Sequence, residues 1–561
     1  MGASVAMDKE VEVSMAEDNT GLTSAAKRTV SRRSFLTGAC AAGALAAVGG
    51  LTACAGTPQN DGQGTEGGSG SGTNGDGAAG NAAPSSIDKT YDTDLLIVGA
   101  GGSGLACAVQ AALNNMNFIV VDRNSQVGGN ASFVEGMFAV NSSLQREQGI
   151  DIKPADVIEA ELTRGQHRQN GDYWLDLVNN SADNISWCQE QGVQYSGTVD
   201  DYYGGLFPTF HWFKEGKAAV GYVEPMKNRL DELGVELHLN TTVNGLIMQD
   251  KKVAGAYADG DEGTVQYNAK AVVFATGGFG GNAEVIAEQG WDTDGVHIVG
   301  SPNAAGDGYR LAMDNGGKNM MAGSAQSILY AIQAFPAIDF HDAAENPING
   351  YFGIAAGGPV RWVNEACERY SRENLTADNL VLQCIPGKDN KANYVLFDQA
   401  IFDQFFGKDD DAKKMFQDGL ASNDGNSLFQ ADTVEDLAGK FDLDADALKA
   451  TVDHYNELCK AGADTDFGKA ADLMVPVETA PLYMAKLSYS YFFSVGGIAT
   501  DKKRRVLDGD MNPIEGLYAI GNDGNMLYRN VYTINMPGTA FGNQVNSGRE
   551  AANAAMEYVQ G

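Results

Sequence analysis

The sequence predicts an α/β fold built around a parallel sheet, and three observations lead to this prediction. First, an apolar run at 95–98 ends in a glycine-rich turn, which is followed by a helix of small residues and a second apolar run at 117–121. Second, a later apolar run at 271–275 enters another glycine turn. Third, the segment 516–522 has the same strand and turn character. Apolar runs that alternate with glycine turns and helices are typical of buried parallel strands.

The turn from Gly99 to Gly104 has the spacing G-x-G-x-x-G between a predicted strand and a predicted helix. In this setting the glycines let the backbone approach a pyrophosphate, which accepts hydrogen bonds from the N–H groups of the helix N-terminus. Asp122, at the end of the second run, is placed to accept hydrogen bonds from ribose hydroxyls. The motif therefore predicts a bound dinucleotide. The alternative is a small-residue turn that serves only close packing of the helix on the strand.

More glycine turns follow along the chain. The pair Gly128-Gly129 would let a loop lie along the dinucleotide, and the amide of Asn130 could donate to a cofactor oxygen. A turn at 276–278, a helix that opens at Asp307 and the segment 537–543 come later. In this order, the segments indicate one site assembled from distant parts of the chain.

The first 54 residues have the character of an export signal. Arg32 and Arg33 form a twin-arginine pattern, and the run at 38–51 is too short and too rich in Ala and Gly to span a bilayer comfortably. Cys54 ends a segment that resembles a lipoprotein cleavage box, although it could be an ordinary residue beside a plain signal cut. Residues 55–86 contain almost nothing apolar and are predicted to be a flexible Gly/Ser-rich tether. We therefore expect export by the twin-arginine route, with a lipid anchor as the only membrane contact.

The composition argues against several classes of partner and cofactor. The formal net charge of −34 argues against nucleic acid as a partner, because phosphate binding needs clustered Lys and Arg. The seven cysteines include no C-x-x-C pair, so no metal site and no covalently attached haem are predicted. A redox enzyme with this sequence would therefore receive its electrons from another protein.

With these motifs in place, residues 91–559 resemble the flavoprotein family of soluble fumarate reductases, urocanate reductases and 3-ketosteroid dehydrogenases. The resemblance implies FAD in a Rossmann-type domain that is covered by an inserted α+β capping domain. It places the FAD-binding domain at 87–323 and 488–561 and the capping domain at 324–487. The motifs predict FAD contacts at Gly99, Gly101, Gly104, Gly129, Thr276 and Gly277, and the resemblance adds Ser103, Asp122, Asn130, Ala131, Gly136, Val243, Asp307, Asn522, Ala540 and Phe541.

The positions that carry catalysis in fumarate reductases differ in this chain. Those enzymes hold two carboxylates with His and Arg and deliver a proton from a further Arg. Carried over one position at a time, the proton-donor arginine becomes Ala377, and the His-His-Thr-Met-Gly-Gly segment begins with Phe492 and Phe493. The histidine of Gln-x-His-Pro is missing at 326–329 and also at 333–336. Because a buried dicarboxylate needs paired cations, we expect a larger, aromatic or polycyclic, mostly uncharged substrate.

Tyrosines are the candidates for the new chemistry. Tyr489 and Tyr491 precede Gly496-Gly497, where the family has its substrate-facing turn, and Tyr532 precedes the final flavin turn. A tyrosine can protonate a carbanion or polarise a carbonyl. Arg529 could bind one carboxylate or replace the missing proton donor. The alternative is that these tyrosines only pack the cap with their hydroxyls at its rim.

The sequence thus predicts an exported FAD-dependent reductase of an activated C=C bond, an enone or enoate. Flavin N5 would supply the hydride, a tyrosine or Arg529 the proton, and backbone N–H groups near Gly496 and Gly538 would hold the electron-withdrawing group. A membrane-associated cytochrome or quinol-linked protein would donate the electrons. The runner-up is a flavin dehydrogenase that desaturates a ring next to a ketone. A tethered lipoprotein that retains flavin and only binds ligand is the alternative from another class.

Overall fold

The computed structural model describes residues 83–202, 205–290, 296–298, 301–320, 331–334, 358–373, 390–407, 410–422, 426–491, 493–529, 532 and 535–561. Within these ranges the strands are β1 (Lys89–Val98), β2 (Phe118–Val121), β3 (Gly136–Phe138), β4 (Tyr195–Asp200), β5 (Phe210–Phe213), β6 (Glu236–His238), β7 (Thr242–Gln249), β8 (Lys252–Gly260), β9 (Gly263–Phe274), β10 (Val296–Ile298), β11 (Ala331–Ala334), β12 (Arg361–Asn364), β13 (Asn393–Asp398), β14 (Leu428–Ala431), β15 (Leu482–Tyr491), β16 (Arg505–Leu507) and β17 (Pro513–Ala519).

The α-helices of the same ranges are α1 (Gly102–Leu113), α2 (Ser143–Glu147), α3 (Pro154–Arg164), α4 (Gly171–Glu190), α5 (Glu224–Glu232), α6 (Ala283–Glu288), α7 (Asp307–Asp314), α8 (Gln399–Phe405), α9 (Asp410–Ser422), α10 (Val434–Lys440), α11 (Ala445–Ala461) and α12 (Thr539–Gln560). Short 3₁₀ segments occur at Gly129–Phe133, Lys214–Gly216 and Ala471–Leu473, and a turn of π-helix at Ala219–Val223.

The main sheet is built on β1, whose residues from Leu95 to Val98 are buried. The strand order is β16-β17-β9-β1-β2-β6, and the pairs β1–β2, β1–β9, β2–β6 and β9–β17 are all parallel. The first half of β9 also pairs with β8, on the edge that β17 occupies farther along, and β8 continues antiparallel to β7. The apolar runs predicted as strands therefore lie side by side, and their carboxyl ends meet at one edge of the sheet. This is the edge where open α/β sheets bind ligands.

Two helices made of small residues cover one face of this sheet. Nine of the twelve residues of α1 are buried, and α12 packs directly against it. A Cβ at Gly548 of α12 would lie 2.5 Å from the carbonyl oxygen of Ser103, so a larger residue cannot be accommodated without moving the backbone. The close approach places the N-terminus of α12 beside the glycine turn that opens α1.

A second, mixed sheet has the order β10-β15-β13-β12, and β11 and β14 also pair with β15. Helices α10 and α11 pack on it around Leu437, Leu448 and Val452. Together with the parallel sheet, this arrangement confirms the predicted α/β class with an α+β layer inserted into it. Strand β10 comes before residue 324 and β15 ends after residue 487, and the domain boundaries stay a prediction. A small third sheet has the order β3-β5-β4.

Among the described helices, none combines the length and the apolar character needed to cross a bilayer. The signal predicted at 1–54 and residues 55–82 of the predicted tether lie outside the described residues.

Candidate active site

An open groove lies at the carboxyl edge of the main sheet. Its walls are the ends of β1, β2 and β9, the start of β7 and the first turn of α7. Predicted FAD residues form much of this lining, namely Gly99, Gly101, Asp122, Gly129, Asn130, Val243, Thr276, Gly277 and Asp307. The structure thus brings together segments that the sequence analysis could relate only by their order along the chain.

The glycines of the first turn are needed for two different reasons, close packing of the protein and close approach of a ligand. A Cβ at Gly99 would lie 2.2 Å from the carbonyl oxygen of Ala275, and a Cβ at Gly104 would lie 1.9 Å from that of Gly99. Both of these glycines are required by the protein itself. At Gly101 the nearest protein atom to a Cβ would be 3.8 Å away, and the φ of −79° is one that any residue can adopt. Its glycine is therefore explained by a ligand that approaches the backbone closely, which fits a bound dinucleotide.

Polar groups around the groove are fixed in place by the protein. One carboxylate oxygen of Asp122 accepts the N–H of Ala100 at 2.7 Å and the other accepts that of Asn124 at 2.8 Å, which leaves acceptor capacity for ribose hydroxyls. The amide oxygen of Asn130 accepts the N–H of Ser301 at 2.6 Å, so its NH₂ group remains the donor that the sequence analysis assigned to it. Asp307 pairs with Arg123 at 2.8 Å.

The other predicted FAD residues lie at the far end of the site, toward α12. Ser103, Ala131 and Phe541 are buried, and Ala540 lies in the first turn of α12. Gly136 is in β3, where a Cβ would meet the carbonyl oxygen of His211 at 2.4 Å. These positions could hold the second half of a long cofactor.

Two buried asparagines at this end have side-chain atoms without a partner. The side-chain oxygen of Asn522 and both amide atoms of Asn543 form no hydrogen bond in the described structure, although each residue is at most 5 % exposed. Because buried polar groups are almost always paired, these orphaned atoms indicate a polar ligand. FAD, with its polar pyrimidine ring and ribityl hydroxyls, is a group that these donors and acceptors would fit. Asn543 ends the segment 537–543 that the sequence predicts at the site, but it was not predicted as a contact, because a polar residue within a helix gives no signal of its own.

Asp523 was missed as well. Its carboxylate accepts hydrogen bonds from the N–H groups of Thr276 (2.5 Å), Gly277 (3.3 Å) and Gly278 (3.0 Å), and also from the Thr276 hydroxyl at 3.0 Å. Burial raises the pKa of this carboxyl group to about 6 against the lowering effect of these bonds. The residue joins the end of β17 to the turn after β9. From the sequence, an acid in the segment Gly-Asn-Asp-Gly looks like a solvated turn residue.

The structure places the predicted catalytic residues in different settings. Tyr489 and Tyr491 lie at the end of β15, where their backbones pair with Val296 and Ile298 of β10. Arg529 is exposed and has a φ of +52°. Tyr532 is half-buried. These four residues therefore lie on two separate segments, the end of the second sheet and the approach to α12.

Tyr532 belongs to a cluster of hydroxyl groups. Its ring contacts that of Tyr528 edge-on, with 4.6 Å between ring centroids. The Tyr528 hydroxyl donates to the Thr539 side chain at 2.6 Å, at the start of α12, and Tyr532 also hydrogen-bonds to Thr539. Burial raises the pKa of Tyr532, so the phenol is protonated at neutral pH. A protonated phenol can act as a proton donor.

His211, on β5, is a core residue whose ring nitrogens both have hydrogen-bond partners. It is fully buried, its Nε2 lies 2.6 Å from the Ser142 hydroxyl and its Nδ1 lies 3.0 Å from the Thr209 carbonyl oxygen. Burial lowers its pKa to about 4, so the ring is neutral and locked in place.

A partly exposed apolar surface adjoins the Gly496-Gly497 turn. Its side chains pack against the core that contains Val495 and Met536 and are Leu206, Phe207, Met320, Phe493 and Tyr532. The N–H of Met320 donates to the carbonyl oxygen of Gly497 at 2.9 Å, and that of Leu206 donates to the carbonyl oxygen of Asn535 at 3.0 Å. We call these five side chains the apolar wall. The positions Ala377, Phe492 and 326–329, where the sequence is expected to lack the cations of fumarate reductases, lie outside the described residues.

The N–H of Gly496 itself donates to the carbonyl oxygen of Asn522 at 2.9 Å, so it does not face a substrate. That neighbouring N–H groups near Gly496 and Gly538 hold the substrate stays a prediction.

Comparison with known proteins agrees with this geometry. The model of the FAD binding domain family matches residues 94–534. The chain is 29 % identical over 493 residues to vinyl phenol reductase of Lactiplantibacillus plantarum, and the match covers 84 % of this chain and 98 % of that protein.

Solved structures show the same fold. The open conformation of a flavocytochrome c3 fumarate reductase matches with a TM-score of 0.63 at 25 % identity, covering 86 % of this chain and 80 % of that one. A 3-ketosteroid-Δ4-(5α)-dehydrogenase from Rhodococcus jostii matches with a TM-score of 0.64 at 20 % identity, covering 85 % and 99 %, which supports the fold alone.

Proposed function

The chain belongs to the FAD binding domain family and is an FAD-dependent oxidoreductase of the class that acts on C=C bonds, and on this premise we propose that it reduces the activated C=C bond of a small, aromatic or polycyclic, mostly uncharged molecule. The observation that carries the proposal is the apolar wall beside the Gly496-Gly497 turn. Three of its side chains, Phe207, Phe493 and Tyr532, are aromatic.

The chemistry of this wall selects against a dicarboxylate. A carboxylate that leaves water needs a paired cation or several hydrogen bonds, and an unpaired one costs several kcal/mol. Flat aromatic side chains contribute instead through burial and ring contacts, which favour a planar apolar substrate. One relative, which the match covers along 98 % of its own length, is named for the reduction of vinyl phenol, an aromatic compound with a vinyl C=C bond.

Bound FAD would supply the hydride from the reduced flavin. In the groove, Gly101 would admit the pyrophosphate to the backbone, and Asp122 would hold ribose hydroxyls. At the far end, Asn522 and Asn543 would bind the flavin half through their orphaned polar atoms. We assign the proton to the phenol of Tyr532, which the Thr539 hydroxyl orients and which its raised pKa keeps protonated. The wall would exclude water from the reacting carbon.

An anaerobic experiment tests the proposal. The purified holoprotein is reduced stoichiometrically, and a panel of unsaturated compounds is screened for reoxidation of the flavin absorbance. We expect aromatic enones, enoates or vinyl compounds to reoxidise the flavin much faster than fumarate. Reoxidation by fumarate at least as fast would contradict the substrate class. Failure of every compound would favour the tethered binding protein.

The same preparation decides the direction of the reaction. The runner-up, a dehydrogenase that desaturates a ring next to a ketone, predicts fast reduction of oxidised flavin by the saturated ketone in the presence of an artificial acceptor. Comparison of the two rates with one substrate pair separates a reductase from a dehydrogenase.

We also propose that the protein is exported, lipid-anchored at Cys54 and supplied with electrons by a membrane-associated cytochrome or quinol-linked protein. Only the sequence supports this part, through the twin-arginine pattern and the cleavage box. Replacement of Arg32 and Arg33 by lysine should leave the protein in the cytoplasm, and Cys54→Ala should release it from the membrane fraction. An unchanged distribution of both variants would refute the assignment.

A further inference from the structure

The carboxylate of Asp523 is the strongest polar feature that the proposed reaction does not use. It is 1 % exposed, and its hydrogen-bond partners in the described part of the chain are the uncharged N–H and hydroxyl donors of residues 276–278. Two of these donor residues, Thr276 and Gly277, line the cofactor groove. A buried negative charge thus stands directly behind one wall of the groove without a cation beside it.

The backbone carbonyl groups of residues 522–523 bond to a different turn, Gly496-Gly497. The carbonyl oxygen of Asn522 accepts the N–H of Gly496 at 2.9 Å, and that of Asp523 accepts the N–H of Ile498 at 3.1 Å. Residues 522–523 therefore hold the turn after β9 with a side chain and the Gly496-Gly497 turn with the main chain. One turn faces the cofactor groove and the other adjoins the apolar wall.

We propose that Asp523 is a positioning residue that fixes these two turns relative to each other and places a buried negative charge near bound FAD, which lowers the reduction potential of the flavin. The reasoning for the potential is electrostatic. Reduction adds negative charge to the flavin, and a nearby buried anion disfavours this because the protein interior screens charge weakly. The inference rests on the presence of FAD and not on the identity of the substrate.

The carboxylate is largely ionised at neutral pH. Burial raises its pKa only to about 6, because the N–H and hydroxyl donors of 276–278 stabilise the anion. The charge is therefore present under ordinary conditions. Its removal should change the flavin as well as the fold.

Asp398 is a matched control. It is also 1 % exposed, and its carboxylate accepts the N–H groups of Ile401 (3.1 Å), Glu478 (3.1 Å) and Thr479 (3.0 Å). It lies at the end of β13 in the second sheet and does not line the cofactor groove. Asp398→Asn thus removes a similarly buried and similarly bonded charge at another place.

The test compares Asp523→Asn, Asp523→Glu and Asp398→Asn as holoproteins. The readouts are the flavin midpoint potential against reference dyes, the dissociation constant of FAD and the thermal unfolding midpoint. We expect Asp523→Asn to raise the potential and to weaken FAD binding by about tenfold or more, the effect of losing charged hydrogen bonds. Asp523→Glu keeps the charge but displaces it, so FAD binding should weaken with little change in potential. Asp398→Asn should lower only the unfolding midpoint.

Three results would overturn the proposal. An unchanged flavin potential in Asp523→Asn would show that the residue has only a structural role. An equal shift of potential in Asp398→Asn would show that the effect does not depend on a charge beside the cofactor groove. If Asp523→Asn does not fold, Asp523→Glu decides, since FAD affinity equal to that of the parent would show that the position of the carboxylate is not critical. None of these readouts involves the substrate, so they can fail independently of the proposed reaction.

Discussion

Replacement of Gly101 by alanine should separate cofactor binding from folding. Apart from Gly101 and its two neighbours in the chain, no protein residue has an atom closer than 3.8 Å to the added methyl group, and the backbone conformation there suits alanine. Two small effects on stability oppose each other. Lower entropy of the unfolded chain stabilises by about 0.4–1 kcal/mol, and a poorer helix N-cap costs a similar amount of about 0.5–1 kcal/mol. The free energy of unfolding of the apoprotein should therefore change by less than about 1 kcal/mol.

FAD binding should respond differently, because the methyl group occupies space that the cofactor needs. An added methyl group in a tightly packed contact costs about 1–3 kcal/mol, which corresponds to about a 5- to 150-fold loss of affinity. Gly104→Ala is the matched variant with the opposite expectation. Its methyl group would lie 1.9 Å from the carbonyl oxygen of Gly99, so the apoprotein itself should lose about 3 kcal/mol, more than the helix-propensity gain of about 1 kcal/mol.

Urea unfolding of the apoproteins and titration with FAD, followed by flavin fluorescence, measure both quantities. Gly101→Ala that binds FAD with the affinity of the parent would refute the reasoning. A loss of apoprotein stability as large as that of Gly104→Ala would refute it too, because the glycine would then be needed for packing.

Three further predictions concern other parts of the molecule. Folding lowers the pKa of His211 from 6.5 to about 4, so the stability that its neutral ring contributes is intact above pH 6.5 and is lost toward pH 4, by up to about 3 kcal/mol. The free energy of unfolding in urea should therefore depend more steeply on pH in the parent than in His211→Asn between these values. Equal slopes would contradict this. Glu373→Gln should destabilise by about 3–5 kcal/mol in the same assay, because it removes the buried carboxylate that pairs with Arg369 at 3.0 Å and with Lys469 at 3.2 Å. A loss below about 1 kcal/mol would speak against a critical ion pair. Tyr532→Phe should lower steady-state turnover by about 10²- to 10⁴-fold without slowing reduction of the flavin. The control Tyr528→Phe should lower the free energy of unfolding by about 1 kcal/mol and leave turnover nearly unchanged. Equal losses of turnover in both variants would show that Tyr532 is only a packing residue.

The parts of the fold that the sequence predicted are those whose signal is local. The run before Gly99 and the spacing of the glycines after it predict a strand, a turn and a helix within a few residues, and the same holds for the strand before Thr276. Parallel pairing then follows because right-handed crossovers return each strand to the same sheet. Because the glycine turns that follow parallel strands meet at one edge of the sheet, the sequence alone could predict the lining of the groove.

The parts that the sequence could not predict depend on contacts between distant segments. Whether Asp523 is a solvated turn residue or a buried acceptor is decided by the backbone of residues 276–278, and nothing near Asp523 in the chain indicates this. Whether His211 is catalytic or structural is decided by Ser142 in the same way. The short strand β10 exists only because β15 offers it a partner. Local patterns contain no information about such partners.

The pairing of β9 has a consequence for the synthesis of the protein. When a growing polypeptide has left the ribosome only as far as Phe274, the second half of β9 exposes an unpaired edge, because β17 has not yet been translated. Residues 522–523, which hold the turn after β9 and the Gly496-Gly497 turn together, have not been translated at that stage either. A nascent chain of this length should therefore be vulnerable to aggregation and depend on a chaperone. Cofactor loading would have to wait until residues beyond 543 have emerged.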